Sequence, residues 1–207
     1  RRSPPILGSF VEKALSISFV PALDPPNRVP VGRFSLQCDD VGGFSLLNCR
    51  HGLVLIADKT RHDQFLVWDT ITGEQYHLAV PALFDTAVAV LITGAVLRAV
   101  GDTHHFQVVC VATRRRDPQR RQAACVYSSE TGVWGNIIFS TWIQSELTHD
   151  LPIAIDTVPA VLVGRSLYWL LRSSSSHSPF NAEKQIIEFD LEKQKLAVIR
   201  MPGAVDV

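Results

Sequence analysis

The sequence predicts an all-β protein, a β-propeller-like array of repeated antiparallel sheets, incomplete or irregular, with about three repeats of roughly 60 residues. Three observations carry that expectation. Short strand-like segments follow one another along most of the chain. Helical periodicity is nearly missing. One motif recurs three times at almost constant spacing. The 207 residues are 46% hydrophobic and 19% charged, enough apolar material for a sizeable core and far from a disordered composition.

The strand-like segments are HGLVLIAD (51–58), QFLVWD (64–69), FQVVCVAT (106–113), AACVYSS (123–129), SLYWLL (166–171), QIIEFDL (185–191) and KLAVIRM (195–201). Each is short, rich in β-branched and aromatic residues, and bounded by turn residues. Two stretches stand apart. Residues 6–17 (ILGSFVEKALSI) have helical spacing that Gly8 weakens, and residues 81–91 (PALFDTAVAVL) are expected to hold at most a turn of helix. GGFS at 42–45 has paired glycines without a following lysine or helix, and is expected to be a loop.

The repeat is visible when LVWDTITGEQYHL, CVYSSETGVWGNI and IEFDLEKQKLAVI are aligned. Each copy has an aromatic at the end of a strand (Trp68, Tyr127, Phe189), spaced 59 and 62 residues apart. A small polar or acidic residue follows (Asp69, Ser128, Asp190), then a turn at Thr72-Gly73, Thr131-Gly132 and, more loosely, Lys193-Gln194. A new strand starts after each turn. The physical reading is structural. Asp69 and Asp190, and less strongly Ser128, can accept from backbone N–H groups just past the strand. Gly73 and Gly132 can take the positive φ of a hairpin loop. The aromatics can pack between neighbouring sheets. The period exceeds the ~40–50 residues of WD or kelch repeats, and neither signature is complete. Three copies are also fewer than the four to eight blades of a closed propeller. The chain is therefore expected to be part of a longer propeller or to close irregularly.

Several function classes are excluded or weakened by composition. Twenty Lys plus Arg balance twenty Asp plus Glu, so no general attraction to nucleic acid or anionic membrane is expected. No stretch approaches the ~20 apolar residues of a membrane span. The first ten residues lack the apolar core of a signal peptide. The chain starts on Arg1 rather than Met, which leads us to expect a start inside a longer protein. No Asn-x-Ser/Thr sequon occurs, in keeping with an intracellular protein, cytoplasmic and/or nuclear. Cys38, Cys49, Cys110 and Cys125 form no Cys-x-x-Cys pair; the last three lie among apolar strand residues and are expected to be buried reduced thiols.

No nucleophile elbow, phosphate loop, zinc-protease or dinucleotide motif is present, and neither a metal nor a cofactor is expected. His104-His105 are adjacent on a strand start and point to opposite faces, which disfavours a metal pair. Arg61–Asp63 reads as a solvated turn and His51, before Gly52, as a turn anchor. The one charge cluster, ATRRRDPQRRQ, places Arg114, Arg115, Arg116, Arg120 and Arg121 at a hairpin tip turned by Pro118. It reads first as a solvated loop, then as a contact for an acidic partner, since arginine forks suit carboxylates and phosphates. A nuclear-import or nucleic-acid patch is the weakest reading, because no aromatic is interleaved. RSSSSHSPFN (172–181) has the composition of a flexible loop.

Read in order, RRSPPILGSF with the Pro-rich FVPALDPPNRVP, then LLNCRHGLVLI, FLVWDTITGEQYHLAVP, ACVYSSETGVWGNI, AVLVGRSLYWLL and IIEFDLEKQKLAVI resemble the segment that follows the F-box in plant F-box proteins, especially the grass group. The resemblance covers about residues 1–202. It implies a lead-in segment over 1–32 and an F-box-associated propeller-like domain over 33–207. It also implies a protein-interaction module that recruits a target to a cullin-type ubiquitin ligase and is not itself an enzyme. The ligase adaptor would be bound only through an F-box, and no Leu-Pro-rich helical triplet occurs in this chain. A fragment, a truncated gene product and a divergent member lacking the F-box all fit. The alternatives are a stand-alone interaction protein without a ligase and, more remotely, a glycan hydrolase on a propeller scaffold. The latter needs converging carboxylates, whereas the acids here sit mostly at turns. The target is an unknown protein, and no nucleic acid or membrane partner is expected.

Overall fold

The computed structural model describes residues 7–13, 16–26, 34–37, 44–58, 64–81, 89–98, 104–114, 122–140, 158–172 and 184–200. The chain divides into two compact units at Val80 and Pro81. The described residues form strands and turns and contain no helix.

The first unit holds two antiparallel sheets. Strands β1 (Gly8–Lys13), β2 (Ser16–Pro21) and β3 (Ser35–Gln37) form one, in that order. The helical spacing of residues 6–17 is thus overturned. The period that wins is two: Phe10 stands opposite Phe19 across the β1–β2 hairpin, with ring centroids 5.3 Å apart. Gly8, the residue that weakens a helix, suits the strand. A Cβ there would lie 2.3 Å from the Val20 carbonyl oxygen, so the two backbones meet only because position 8 has no side chain.

The second sheet of this unit runs β4 (Phe44–Arg50), β5 (Leu53–Asp58), β6 (Gln64–Asp69) and β7 (Gln75–Ala79), again in sequence order. Phe44 and Ser45 therefore open a strand instead of finishing a loop. Between β4 and β5, His51 and Gly52 have φ values of 52° and 78°. Two consecutive positive φ angles are the signature of the type I′ turn, whose twist matches that of the flanking strands. Val54 and Ile56 of β5 and Leu66 and Trp68 of β6 form one core with Ile17 and Leu36 of the first sheet. Phe10 meets Trp68 edge-on at 5.8 Å. Each such aliphatic side chain taken from water contributes about 1.5–3 kcal/mol, so the facing rows are what hold the two sheets together.

The second unit repeats the plan. Strands β8 (Ala89–Leu97), β9 (Gln107–Arg114) and β10 (Gln122–Ser128) are followed by a fourth strand split into β11 (Val133–Trp134) and β12 (Ile138–Phe139), both paired with β10. The last sheet is β13 (Val161–Val163), β14 (Ser166–Arg172), β15 (Lys184–Asp190) and β16 (Lys195–Arg200). Residues 82–88 lie outside the described set, but Ala89–Leu91 belong to β8, which removes that part of the expected helical turn. Ala95, Leu97, Val109, Val111, Ala124 and Val126 form one face of the β8–β12 sheet. They pack against Leu167, Trp169, Ile187, Phe189 and Leu196 of the last sheet.

The architecture is all-β, with antiparallel sheets stacked in pairs in each unit, consistent with an incomplete β-propeller. The three expected copies correspond to the β4–β7, β8–β12 and β13–β16 sheets. A further, three-stranded sheet (β1–β3) precedes them.

Cys110 and Cys125 are free, fully buried and directly opposite one another on β9 and β10. Burial pushes both thiols up, Cys125 to about 12 and Cys110 well above its usual value, with the neighbouring Cys125 adding to the effect on Cys110. Cys49 departs from expectation. It lies near the hairpin turn on β4, opposite Val54, and its side chain is exposed. Even so, the protein packed around its sulfur pushes the thiol up to about 11.

Candidate functional site

The three copies of the motif form the same local structure at the same end of each sheet. In the first, Asp69 closes β6 and its Oδ1 accepts the N–H groups of Ile71 at 2.9 Å and Thr72 at 3.3 Å. In the third, Asp190 closes β15 and its Oδ1 accepts the N–H groups of Glu192 at 3.0 Å and Lys193 at 2.9 Å. The spacing is two and three residues in both. Gly73 donates its N–H to the Asp69 carbonyl at 2.8 Å and Gly132 to the Ser128 carbonyl at 2.9 Å, closing the four-residue loops. The φ angles at the loop ends are 85° at Gly73, 72° at Gly132 and 48° at Gln194.

A second tie recurs that the sequence reading did not see. The residue after the acid position donates its N–H to the carbonyl just before the second strand of its own sheet. The pairs are Thr70 to Gly52 at 2.8 Å, Ser129 to Phe106 at 2.9 Å and Leu191 to Arg165 at 3.0 Å. Side chains reinforce two of them. The Thr70 hydroxyl donates to the Gly52 carbonyl at 2.8 Å, and the Ser129 hydroxyl oxygen accepts the Phe106 N–H at 2.7 Å. Arg165 forms a surface ion pair with Glu192 at the third. In each of the three motif-bearing sheets the two loops at this end are thereby joined. The only sequence signal is a hydroxyl residue after the acid position in the first two copies, too common to stand out.

The aromatics of the motif occupy equivalent places on the strand but different surroundings. Trp68 and Phe189 are buried in the cores of the first and second units respectively. Tyr127 is half-buried and packs its ring on Phe106 and Trp134, with centroids 6.3 and 5.4 Å away. Its neighbour Val126 belongs to the core of the second unit, so Tyr127 lies on the other face of β10.

Those hydrogen-bonded loops leave an exposed rim at each sheet: Ile71–Glu74 in the first copy, Glu130–Gly132 in the second, Glu192–Gln194 in the third. The rim is polar and mostly self-satisfied. Glu74 accepts from the Tyr76 hydroxyl at 2.7 Å, and the Thr72 hydroxyl lies 3.3 Å from the same carboxylate. Comparison with known families makes the assignment. A family profile described as F-box protein At3g26010-like, beta-propeller, matches residues 33–206.

This chain belongs to the F-box protein At3g26010-like beta-propeller family.

Membership in that propeller family accounts for the order of short antiparallel sheets and for a motif that ends each third strand. No curated protein matches the chain. Among the described residues no group of three His, Cys, Asp or Glu side chains could hold a metal ion. No helix among them is long and apolar enough to cross a membrane. Of the arginine cluster, Arg114 ends β9, while Arg115, Arg116, Arg120 and Arg121 lie outside the described residues, as do Arg61–Asp63 and Cys38.

Proposed function

We propose that the chain is a protein-interaction module, the target-recruiting domain of an F-box protein working in a cullin-type ubiquitin ligase. The observation that carries this reading is the family match across residues 33–206. In this reading residues 33–207 recruit and residues 1–32 lead in from the ligase-binding part. An F-box outside the 207 residues engages the adaptor, and ubiquitin transfer happens elsewhere. The module contributes recognition: rigid sheets hold loops whose few anchor residues supply most of the affinity.

Trp68, Asp69, Gly73, Tyr127, Gly132, Phe189 and Asp190 build the scaffold in this proposal. The target is read by the loops between copies, with Arg114, Arg115, Arg116, Arg120 and Arg121 as the contact for an acidic segment. In a chain of zero net charge, five arginines within eight positions are the densest cationic run in the sequence. That the two motif carboxylates each accept backbone N–H groups supports a binding role over hydrolysis, which needs a carboxylate free to act on a substrate.

The test is co-purification in two arms. A parent chain carrying an F-box is expected to bring down the ligase adaptor, and the 207-residue chain alone is not; a parent that fails to do so overturns the ligase link. In the second arm, Ser at all five arginines is expected to abolish target capture. Capture at the unmutated level would remove the contact loop from the proposal.

A further inference from the structure

Cys110 and Cys125 are partners in the ladder, directly opposite one another on β9 and β10. Opposed residues of an antiparallel pair raise their side chains from the same face, so both thiols belong to one face of the β8–β12 sheet. It is not the face that packs on the last sheet. Val109, Val111, Ala124 and Val126 supply that one, and the cysteines alternate with them. Both thiols are free and neither has exposed surface.

The hydrogen-bond pattern says which kind of opposed pair they are. The Ser129 N–H donates to the Phe106 carbonyl at 2.9 Å. Bonded pairs recur at every second residue, so the next are Tyr127 with Val108 and then Cys125 with Cys110. The Val126 carbonyl accepts the Gly135 N–H on the opposite edge of β10 at 2.7 Å, as that alternation requires. Residues bonded in this way have Cα atoms about 5.5 Å apart. Disulfides span about 4.4–6.8 Å between Cα atoms, most of them near 5.5–6 Å, so the backbone separation already suits a cross-link. The Cβ atoms of opposed residues are about 4.5–5.5 Å apart and a disulfide draws them to about 3.5–4.5 Å, so the bond closes with some strain.

The neighbours on this face leave the sulfurs room to turn toward each other. Gly94 of β8 pairs with Cys110 and places no side chain beside it. The next rung on the same face is Ala112 with Ala123. The Cys125 thiol is near enough to push the Cys110 thiol up beyond the effect of burial.

We infer that Cys110 and Cys125 form a reversible redox pair, closed to a cross-strand disulfide by hydrogen peroxide and reopened by a thiol reductant. One thiol loses its proton and its sulfur attacks a peroxide oxygen; the O–O bond breaks, leaving a sulfenic acid and releasing water. The second sulfur then displaces the hydroxyl from the first, which leaves as water with the second thiol's proton. Two thiols and one peroxide become one disulfide and two waters, and the two electrons lost by sulfur reduce the peroxide. The thiolate is the nucleophile and burial disfavours it, so the step waits on a brief local opening of the β9–β10 pair. It is therefore slow beside modification of the exposed Cys49. A strained disulfide is also more readily reduced, the property of a labile bond rather than a permanent staple. The cross-link lies three rungs from Thr113–Gln122, the last described pair before the arginine-rich connection, so oxidation ties the base of that hairpin. This inference is independent of the ligase reading.

Peptide mapping without reductant tests it on the whole chain. The protein is treated with hydrogen peroxide in native buffer and in urea below the unfolding midpoint, unfolded in iodoacetamide, and cut with trypsin. Residues 99–114, holding Cys110, and residues 122–165, holding Cys125, are expected to appear as one linked species. Its mass is lower than their sum by two hydrogen atoms, and dithiothreitol separates it. The link is expected to form faster in the dilute urea, and to form unchanged when Cys38→Ser and Cys49→Ser remove the other thiols. Cys125→Ala is expected to leave Cys110 alkylated. Full alkylation of Cys110 and Cys125 after peroxide treatment overturns the inference, as does a link from either to Cys38 or Cys49. A link that forms only above the unfolding midpoint, or a linked chain that has lost the native circular-dichroism spectrum, overturns it too, because the folded sheet then does not accommodate the bond.

Discussion

Gln194 holds in the third repeat the left-handed backbone position that Gly73 holds in the first, with φ of 48° against 85°. Both residues lie four positions after the acid that closes the third strand of their sheet. A side chain in this region crowds its own backbone, at a cost of about 1–2 kcal/mol, whereas glycine has no Cβ to crowd. Gln194→Gly is therefore expected to stabilise the protein, by about 0.5–1 kcal/mol once the extra chain entropy of glycine is subtracted. Gly73→Ala is expected to destabilise it by about 1 kcal/mol or more, through conformation alone, because a Cβ there meets no other atom within 4 Å. Urea unfolding of both variants checks the pair, and equal midpoints for Gln194→Gly and the parent would show that the loop carries no such strain.

Asp69 is only 3% exposed, and its Oδ1 serves two backbone N–H groups. Alanine would leave both donors unmatched in a partly buried turn. Asp69→Ala is expected to cost about 1–3 kcal/mol. Asp69→Asn retains an acceptor oxygen and should recover most of that loss. A thermal melt in which alanine and asparagine behave alike would show that the carboxylate oxygen is not what holds the turn.

At Asp190 the same geometry makes stability depend on pH. The Lys193 N–H, donated to the carboxylate, holds its pKa below the usual 3.8; partial burial opposes this, and the Glu192 N–H and the Lys193 ammonium at 3.5 Å add to the lowering. A depressed folded pKa means that the contribution is fully present above the ordinary value of 3.8 and fades as pH falls through the lower folded value. Asp190→Asn removes the titration while leaving an acceptor. Its melting temperature is expected to fall less steeply than the parent's between pH 5 and pH 2, the range over which paired carboxylates titrate. Parallel curves would assign the acid sensitivity to other groups.

Burial separates the described cysteines by reactivity. Cys110 and Cys125 have no exposed surface and raised thiol pKa values, so neither alkylates in the native state. Cys49 is exposed but raised to about 11, so it labels first and more slowly than a free thiol. Peptide mapping after iodoacetamide treatment at pH 8, near the ordinary cysteine pKa, is expected to find Cys49 modified before the other two. Native labelling of Cys110 at the rate of Cys49 would show that the β9–β10 pair opens to solvent.

The strands that could be read directly are those in which period-two patterning and turn chemistry agree. Residues 64–69 matched β6 residue for residue, and the β9, β10, β14, β15 and β16 segments came within a residue or so at each end. The β1–β2 hairpin was hidden because Phe10 and Ile17 also fit a helical spacing, and only pairing with a neighbouring strand decides between the two periods. Strand β8 was hidden for another reason. AVAVLITGAVL is apolar at nearly every position, and a strand buried on both faces has no alternation to reveal it.

By itself the sequence determined the all-β class, the recurrence of the motif and its turns, and the resemblance to the family to which the chain belongs. These are local properties: which residues favour extended backbone, which accept from a neighbouring N–H, which tolerate positive φ. Only the tertiary structure decided which face of each sheet is sealed, that Trp68 and Phe189 are buried while Tyr127 is half-exposed, and that Thr70, Ser129 and Leu191 each tie two loops together. It also decided that Val161 and Val163 stand exposed on β13 while Leu162 between them packs on the core. The reason is that burial belongs to pairs of sheets. A strand's sequence sets what each face offers, but the sheet that packs against it sets what that face becomes.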